Sequence, residues 1–187
     1  MRIESGDIAD DVTLRLLTRA DAGALSAAYT ENRAHLRPWE PRRPESFFTV
    51  DGQRERVEGL LRQFAAGSAV PLVFQAADGR IVGAITLTGI SRGPFCSAHV
   101  GYWVAADQQN RGLAGAAVRR VCEIARDVVG LHRIEASTLL GNHASQRVLA
   151  RCGFEPIGMA PKYLHIDGEW RDCRLFQRIL HDRDPVL

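Results

Sequence analysis

The 187-residue sequence predicts an α+β domain in which helices flank a mostly antiparallel central sheet of about seven strands. Three observations carry that expectation. Segments with apolar residues at helical spacing are interleaved with short alternating runs in the order strand, two helices, three strands, helix, strand, helix, two strands. The pair Asp78-Gly79 separates VPLVFQAA from RIVGAITLTGI, and an Asp-Gly pair supplies the positive φ that a tight hairpin turn demands. No linker, repeat or low-complexity tract interrupts the chain, so residues 1–187 are expected to form one domain with its core at about 12–180.

Each element follows from local chemistry. VTLRLL at 12–17 alternates apolar and polar residues as a half-buried strand does. Thr18, with Asp21 three residues later, has the spacing of a capping box opening a helix that runs through Tyr29 or beyond. Pro38, Pro41 and Pro44 end any helix near Leu36 and stiffen the loop that follows. Val57, Leu60, Leu61 and Phe64 then recur at helical spacing up to Gly67. After the Asp78-Gly79 hairpin, a loop with Gly93-Pro94 leads into the strand SAHVGYWVA. A helix from about Arg111 to Val129 follows, with Ala114, Val118, Val121, Cys122 and Ala125 on one face and a stop at Gly130. The remainder reads as a strand from Arg133 to about Thr138, a helix from Asn142 to Arg151, and strands around Phe154–Met159 and Arg171–Ile179.

Composition excludes several classes. The 24 basic and 22 acidic side chains leave a formal net charge of +2. They are spread without a block of like sign, so nothing points to nucleic acid or a membrane surface. The start MRIESGDIAD carries acids where a secretory signal needs a basic and then an apolar segment, and no apolar run approaches a membrane span. A cytoplasmic protein is expected. Cys96, Cys122, Cys152 and Cys173 stand far apart with no Cys-x-x-Cys pair, which fits reduced core positions and gives no metal site.

The stretch WVAADQQNRGLAGAAVRR, residues 103–120, carries the chemistry. A glycine-laced turn at the mouth of a helix leaves backbone N–H groups unpaired at the positive end of the helix dipole, a ready site for phosphate. An ordinary loop-to-helix turn uses similar residues. Neither Gly-Lys-Ser/Thr nor Gly-x-Gly-x-x-Gly is present, which leaves Gln109-x-x-Gly112-x-Ala114 directly after a strand.

That motif, in this element order, resembles the pyrophosphate-binding motif of the Gcn5-related N-acetyltransferase (GNAT) superfamily. The segments ENRAHLRPWEP, GYWVAADQQNRGLA, LHRIEA, NHASQRVLARCGFE and YLHIDGEWRD are similar to its ribosomal-protein N-terminal acetyltransferase branch, in particular to the group that acetylates the alanine of ribosomal protein S5. The resemblance implies a GNAT fold with a splayed strand pair and acetyl-coenzyme A as co-substrate. It also implies transfer to a primary amine by direct attack through a tetrahedral intermediate. In this sequence the coenzyme-binding positions it implies are Trp103, Val104 and Ala105 on the strand, Gln109, Asn110, Arg111, Gly112, Leu113, Ala114 and Gly115 in the loop, and Asn142 with Ser145.

Ser145 is assigned by the same resemblance to meet the departing thiolate, while Asn142 is also a good helix N-cap. For the proton of the attacking amine, His99 is the first candidate. Its side chain type titrates near neutral pH, and alternation through Gly101 to Trp103 puts it on one face of the donor strand. A structural or solvent-facing histidine is the alternative. Glu40, inside RPWEP, is the second candidate, as base or as partner of the incoming ammonium. Asp167, Glu169 and Asp172 fit an ordinary hairpin better. A related branch places a Glu in the penultimate strand, where this sequence has Pro161 and Lys162, so that base does not carry over. HLRPWEP and YLHIDGEW are expected to wall the acceptor channel. The partners expected are acetyl-coenzyme A, the α-amine of a protein N-terminus or a small amine such as an aminoacyl-nucleotide or antibiotic, and a second copy as an optional homodimer. A ribosome-associated binding protein with dispensable transfer is the third reading.

Overall fold

The computed structural model describes residues 1–184. Eight strands form one sheet in the order β1-β2-β3-β4-β5-β6-β8-β7. They are β1 Gly6–Ala9, β2 Val12–Leu16, β3 Val70–Ala76, β4 Ile81–Ser91, β5 Ser97–Val104, β6 Arg133–Leu139, β7 Glu155–Ile166 and β8 Glu169–Ile179. Every neighbouring pair is antiparallel except β5 with β6. The helices are α1 Ala22–Glu31, α2 Arg33–Leu36, α3 Val50–Ala65, α4 Leu113–Glu123 and α5 His143–Arg151. No helix among the described residues is long and apolar enough to cross a membrane.

The α+β expectation holds, with one strand more than the sequence predicts. That strand is β1, whose GDIA lacks β-branched bulk apart from Ile8; its pairing of Gly6 with Leu14 and Asp7 with Thr13 comes from the turn before β2 rather than from propensity. The capping box is real: the Thr18 amide donates to Asp21 Oδ2 at 2.7 Å and its hydroxyl at 2.9 Å. It opens a short 3₁₀ turn, Arg19–Asp21, that leads into α1. The helix expected from Arg111 begins instead at Leu113, because Asn110 (φ 61°) and Gly112 (φ 78°) are left-handed and cannot lie inside it. Its last turns, Ile124–Val129, widen to π geometry before Gly130 stops them. β7 runs to Ile166, well past the expected Met159. A bulge takes up Pro161 and Lys162, with the Lys162 amide donating to Asp172 Oδ1 at 2.8 Å.

The core lies on both faces of the sheet. Leu25 and Tyr29 of α1 and Val57 of α3 are buried on one side, while Leu113, Ala117, Val118 and Val121 of α4 are buried on the other. All four cysteines are buried and free. Gly83 of β4 is fixed by close approach. A Cβ there would meet Phe74 Cδ2 at 2.4 Å and the Trp103 carbonyl oxygen at 2.7 Å.

Candidate active site

The site begins where β5 leaves β6. The two strands pair only from Ser97 with Arg133 to His99 with Glu135. β5 stays with β4 as far as Val104, and β6 stays with β8 as far as Leu139, so residues 100–104 and 136–139 diverge into an open V. Within β5 the backbone alternates. The Ala105 amide donates to Val82 at 2.8 Å, and the Trp103 carbonyl faces Gly83, so both turn toward β4. Val104 therefore presents its polar groups to the V, and its carbonyl oxygen stands 3.3 Å from His35 Nε2. Of the three strand positions expected to pair with a coenzyme, Val104 alone has this orientation. Ala105 has its amide in the β4 ladder and its carbonyl accepting from the Gln108 amide at 3.0 Å.

Past the end of β5 the chain turns through Ala106–Gln108 and reaches the loop at 109–112. Gly112 occupies the N-cap position of α4 without a side-chain cap, and the first helical bond is Ala116 N–H to the Gly112 carbonyl at 3.0 Å. The amides of Leu113, Ala114 and Gly115 are thus left free at the positive end of the dipole. Nothing lies within 4 Å of where a Gly112 Cβ would be, so the loop faces open space. Leu113, 1% exposed, anchors this end in the core. Gln109 reaches His35, with its side-chain nitrogen 3.2 Å from Nε2. Arg111 does not turn toward the free amides: its guanidinium pairs with Asp11 and touches Gln108. The Arg111 hydrogen bond holds the Asp11 carboxyl below its ordinary range.

On the other arm of the V, Asn142 caps α5, its Oδ1 accepting from the Ser145 amide at 3.1 Å. The Ser145 hydroxyl stands 2.9 Å from the Tyr102 hydroxyl. Tyr102 lies on the β5 face opposite His99 and Trp103, and burial pushes its phenol up to about 12 despite the Ser145 hydrogen bond, which acts to lower it. Thr138, on the same face of the diverging end of β6, is 4% exposed, and its hydroxyl has no partner among the described residues. A buried orphan hydroxyl beside an open V and a row of free amides fits an extended polar chain ending in a pyrophosphate.

The opposite face holds the acid–base candidates. His99 sits at the last β5–β6 pair, half-exposed, with Nε2 3.5 Å from Glu135 Oε2; Arg133 holds the other carboxylate oxygen at 2.9 Å. Trp103 is buried, its indole N–H donating to the Tyr29 hydroxyl at 2.9 Å. Glu40 lines a cleft of about 290 Å³ with Tyr29, Arg33, Arg37, Arg42 and Asp167. Burial raises its carboxyl above the ordinary range, against the opposing pull of Arg43 and Arg56. The expected channel walls do meet, since the Asp167 amide donates to the Glu40 carbonyl at 3.1 Å and Arg37 Nε donates to Asp167 Oδ1 at 3.0 Å. The aromatic side chains of those walls stand outside, Trp39 41% and Trp170 63% exposed. Asp167 and Gly168, both with positive φ, make the hairpin turn. Glu169 pairs with Arg171, and Asp172 holds the bulge.

Sequence reasoning missed Tyr102, His35 and Thr138. Tyr102 and His35 stood inside GYWVA and ENRAHLRPWEP, but their partners, Ser145 and Val104, are distant in the chain. The strand alternation that separates Tyr102 from His99 was the available signal.

An uncapped, glycine-led helix start beneath a diverging parallel strand pair fits an acyl-coenzyme A site, and the profile of the Acetyltransferase (GNAT) domain family matches residues 11–155. The chain belongs to that family and is an N-acetyltransferase with acetyl-coenzyme A as donor. It is 36% identical over 165 residues to the [ribosomal protein uS5]-alanine N-acetyltransferase of Escherichia coli (strain K12), covering 87% of this chain and 84% of the relative. The crystal structure of the ribosomal-protein-S5-alanine acetyltransferase of Vibrio fischeri superposes with a TM-score of 0.92 at 33% identity, over 96% of this chain and 98% of that one. The RimJ protein of Mycobacterium smegmatis, in complex with CoA-disulfide, superposes with a TM-score of 0.85 at 34% identity, over 90% of this chain and 81% of that one.

Proposed function

We propose that the chain acts as a single catalytic domain in the cytoplasm and acetylates the α-amine at a protein N-terminus, with a ribosomal protein as its acceptor. The observation that carries this reading is the charged cleft under Glu40, whose wall residue Tyr29 is tied to β5 by the Trp103 indole N–H. The V between β5 and β6 holds the donor, and the cleft under Glu40 takes the acceptor. The cleft lined by Glu40, Asp167 and several arginines is open rather than a closed pocket, which favours a peptide over a small amine such as an aminoacyl-nucleotide or antibiotic, and the similarity to S5-alanine acetyltransferases points the same way.

The residues divide the work. The amides from Leu113 to Gly115 hold the pyrophosphate, with Asn110 and Gly112 shaping the loop and Gln109 bracing it through His35. Val104 offers its backbone to the pantetheine arm. Arg111 joins the phosphates by exchanging Asp11 for them. His99, steadied by Glu135, takes the proton of the attacking amine directly or through water. Glu40 holds the incoming ammonium. Asn142 fixes the first turn of α5 so that Ser145 meets the sulfur as it leaves.

A panel of peptides and small amines, assayed for thiol released from acetyl-coenzyme A, tests the acceptor. The expected result is fastest release with a peptide bearing the alanine N-terminus of ribosomal protein S5. Faster turnover of an aminoacyl-nucleotide or aminoglycoside would replace this reading with small-amine detoxification.

A further inference from the structure

Ser145 carries one proton, and a hydroxyl in the first turn of a helix has several directions in which to point it. Its amide is already taken by the Asn142 cap, which fixes the backbone but leaves the χ1 rotor free. Among the described residues, the one side-chain group within hydrogen-bonding reach of Oγ is the Tyr102 hydroxyl at 2.9 Å. Tyr102 comes from β5, on the far arm of the V, so its ring reaches from β5 to the first turn of α5. The same hydroxyl lies 3.5 Å from the Ser145 carbonyl oxygen, a longer and weaker contact.

We infer that Tyr102 is a positioning residue: it donates its phenolic hydrogen to Ser145 Oγ, so that the only Ser145 proton is turned into the V toward the departing sulfur. The inference rests on the role given to Ser145 above and adds the group that aims it. In the transfer, the amine nitrogen forms a bond to the thioester carbonyl carbon and its surplus proton goes to His99 or water. The C–S bond breaks with its electron pair on sulfur, and Ser145 Oγ–H donates a hydrogen bond to the sulfur as charge gathers there. The released thiolate takes its proton from solvent. Tyr102 transfers no proton. Burial keeps its phenol un-ionised across the working range, so the donor is always present. A phenolate would instead accept from Ser145 and turn its proton away from the sulfur.

Tyr102→Phe removes the hydroxyl and keeps the ring, and a double-mutant cycle with Ser145→Ala separates positioning from packing. Turnover and coenzyme A affinity are measured for the parent, both single variants and the double variant, using whichever amine the parent turns over fastest. Because thiolate departure is common to every acceptor, the choice of amine does not affect the result. Tyr102→Phe should lower kcat about tenfold, the size of one lost hydrogen bond, with coenzyme A affinity held within about twofold. The double variant should be no slower than Ser145→Ala. Independent, multiplying losses, or an unchanged kcat in Tyr102→Phe beside a large loss in Ser145→Ala, would overturn the role of Tyr102 alone. An unchanged kcat in Ser145→Ala would remove both residues from the departure step.

Discussion

At the scale of single residues, the base candidates differ in surroundings and the difference is measurable. His99 stands at the point where β5 and β6 part, beside a carboxylate shared with Arg133, whereas Glu40 lies among arginines in the outer cleft. His99→Ala should cut turnover by about a hundredfold, the lower range for a positioned base, and Glu40→Gln should mainly raise KM for the acceptor. The reverse pattern in a steady-state comparison would exchange the two roles. Glu40 also leaves a signature on stability. Burial raises its pKa in the fold above the ordinary value of 4.5, so the folded state binds the proton more tightly than the unfolded chain. Its contribution is full below that ordinary value and is lost as pH rises through the folded one. Urea denaturation between pH 4 and 7 should show this decline in the parent and a flatter profile in Glu40→Gln; parallel profiles would refute the burial argument. The loop pattern of Gln109 and Gly112 after a strand and the N-cap Asn142 were legible as local residue types, while the role of Ser145 came from the resemblance. Tyr102 was not legible, because its partner is distant in the chain and no periodicity records that distance.

At the scale of elements, two contacts fix how the site's frame is joined. Arg15 of β2 grips Asp21 at the entry to α1 through two hydrogen bonds, of 2.6 and 2.9 Å. Burial pushes the Asp21 carboxyl up, but Arg15 and Thr18 outweigh it and the net shift is downward from 3.8. The stability this gives is present above that value and is lost as pH falls through the depressed folded one. Asp21→Asn should cost roughly 2 kcal/mol at neutral pH and remove part of the acid sensitivity, as read by denaturant melts at pH 7 and pH 3. Equal losses at both pH values would show that shape, not charge, matters there. Gly83→Ala forces a methyl group against Phe74 and the Trp103 carbonyl and should destabilise by about 1–3 kcal/mol. An unshifted midpoint would mean that β4 and β5 yield more easily than their spacing implies. The Thr18-Asp21 box and the Asp78-Gly79 turn were readable because each is local. The start of α4 lies two residues later than expected because Arg111 is an ordinary helix former and only the left-handed backbone of Asn110 and Gly112 keeps it out, and β7 was cut short because Pro161 and Lys162 look like a stop unless a bulge absorbs them.

At the scale of the whole molecule, the eight-stranded sheet serves to hold one parallel pair open. Antiparallel neighbours tie β5 to β4 from His99 to Val104 and β6 to β8 from Arg133 to Leu139, so the two strands can part at His99 and Glu135 without fraying either side. Into that opening the fold directs the free amides of α4 from one end and the α5 hydroxyl from below. The element order that gives this arrangement was legible in the sequence, but the parting itself was supplied by resemblance, since nothing in the alternation of β5 or β6 marks where pairing ends. Every role proposed on the donor side depends on the 109–115 loop holding the coenzyme's phosphates. Calorimetric titration of coenzyme A into the parent, Gly112→Asn and Gly112→Asp tests this directly. Asn and Asp both tolerate the left-handed conformation at this position, so their difference isolates charge. The expected result is tight binding by the parent and binding roughly 10- to 100-fold weaker in Gly112→Asp, with Gly112→Asn between them and the Asn–Asp gap narrowing as salt rises. Equal affinity for coenzyme A in the parent and Gly112→Asp would contradict the account.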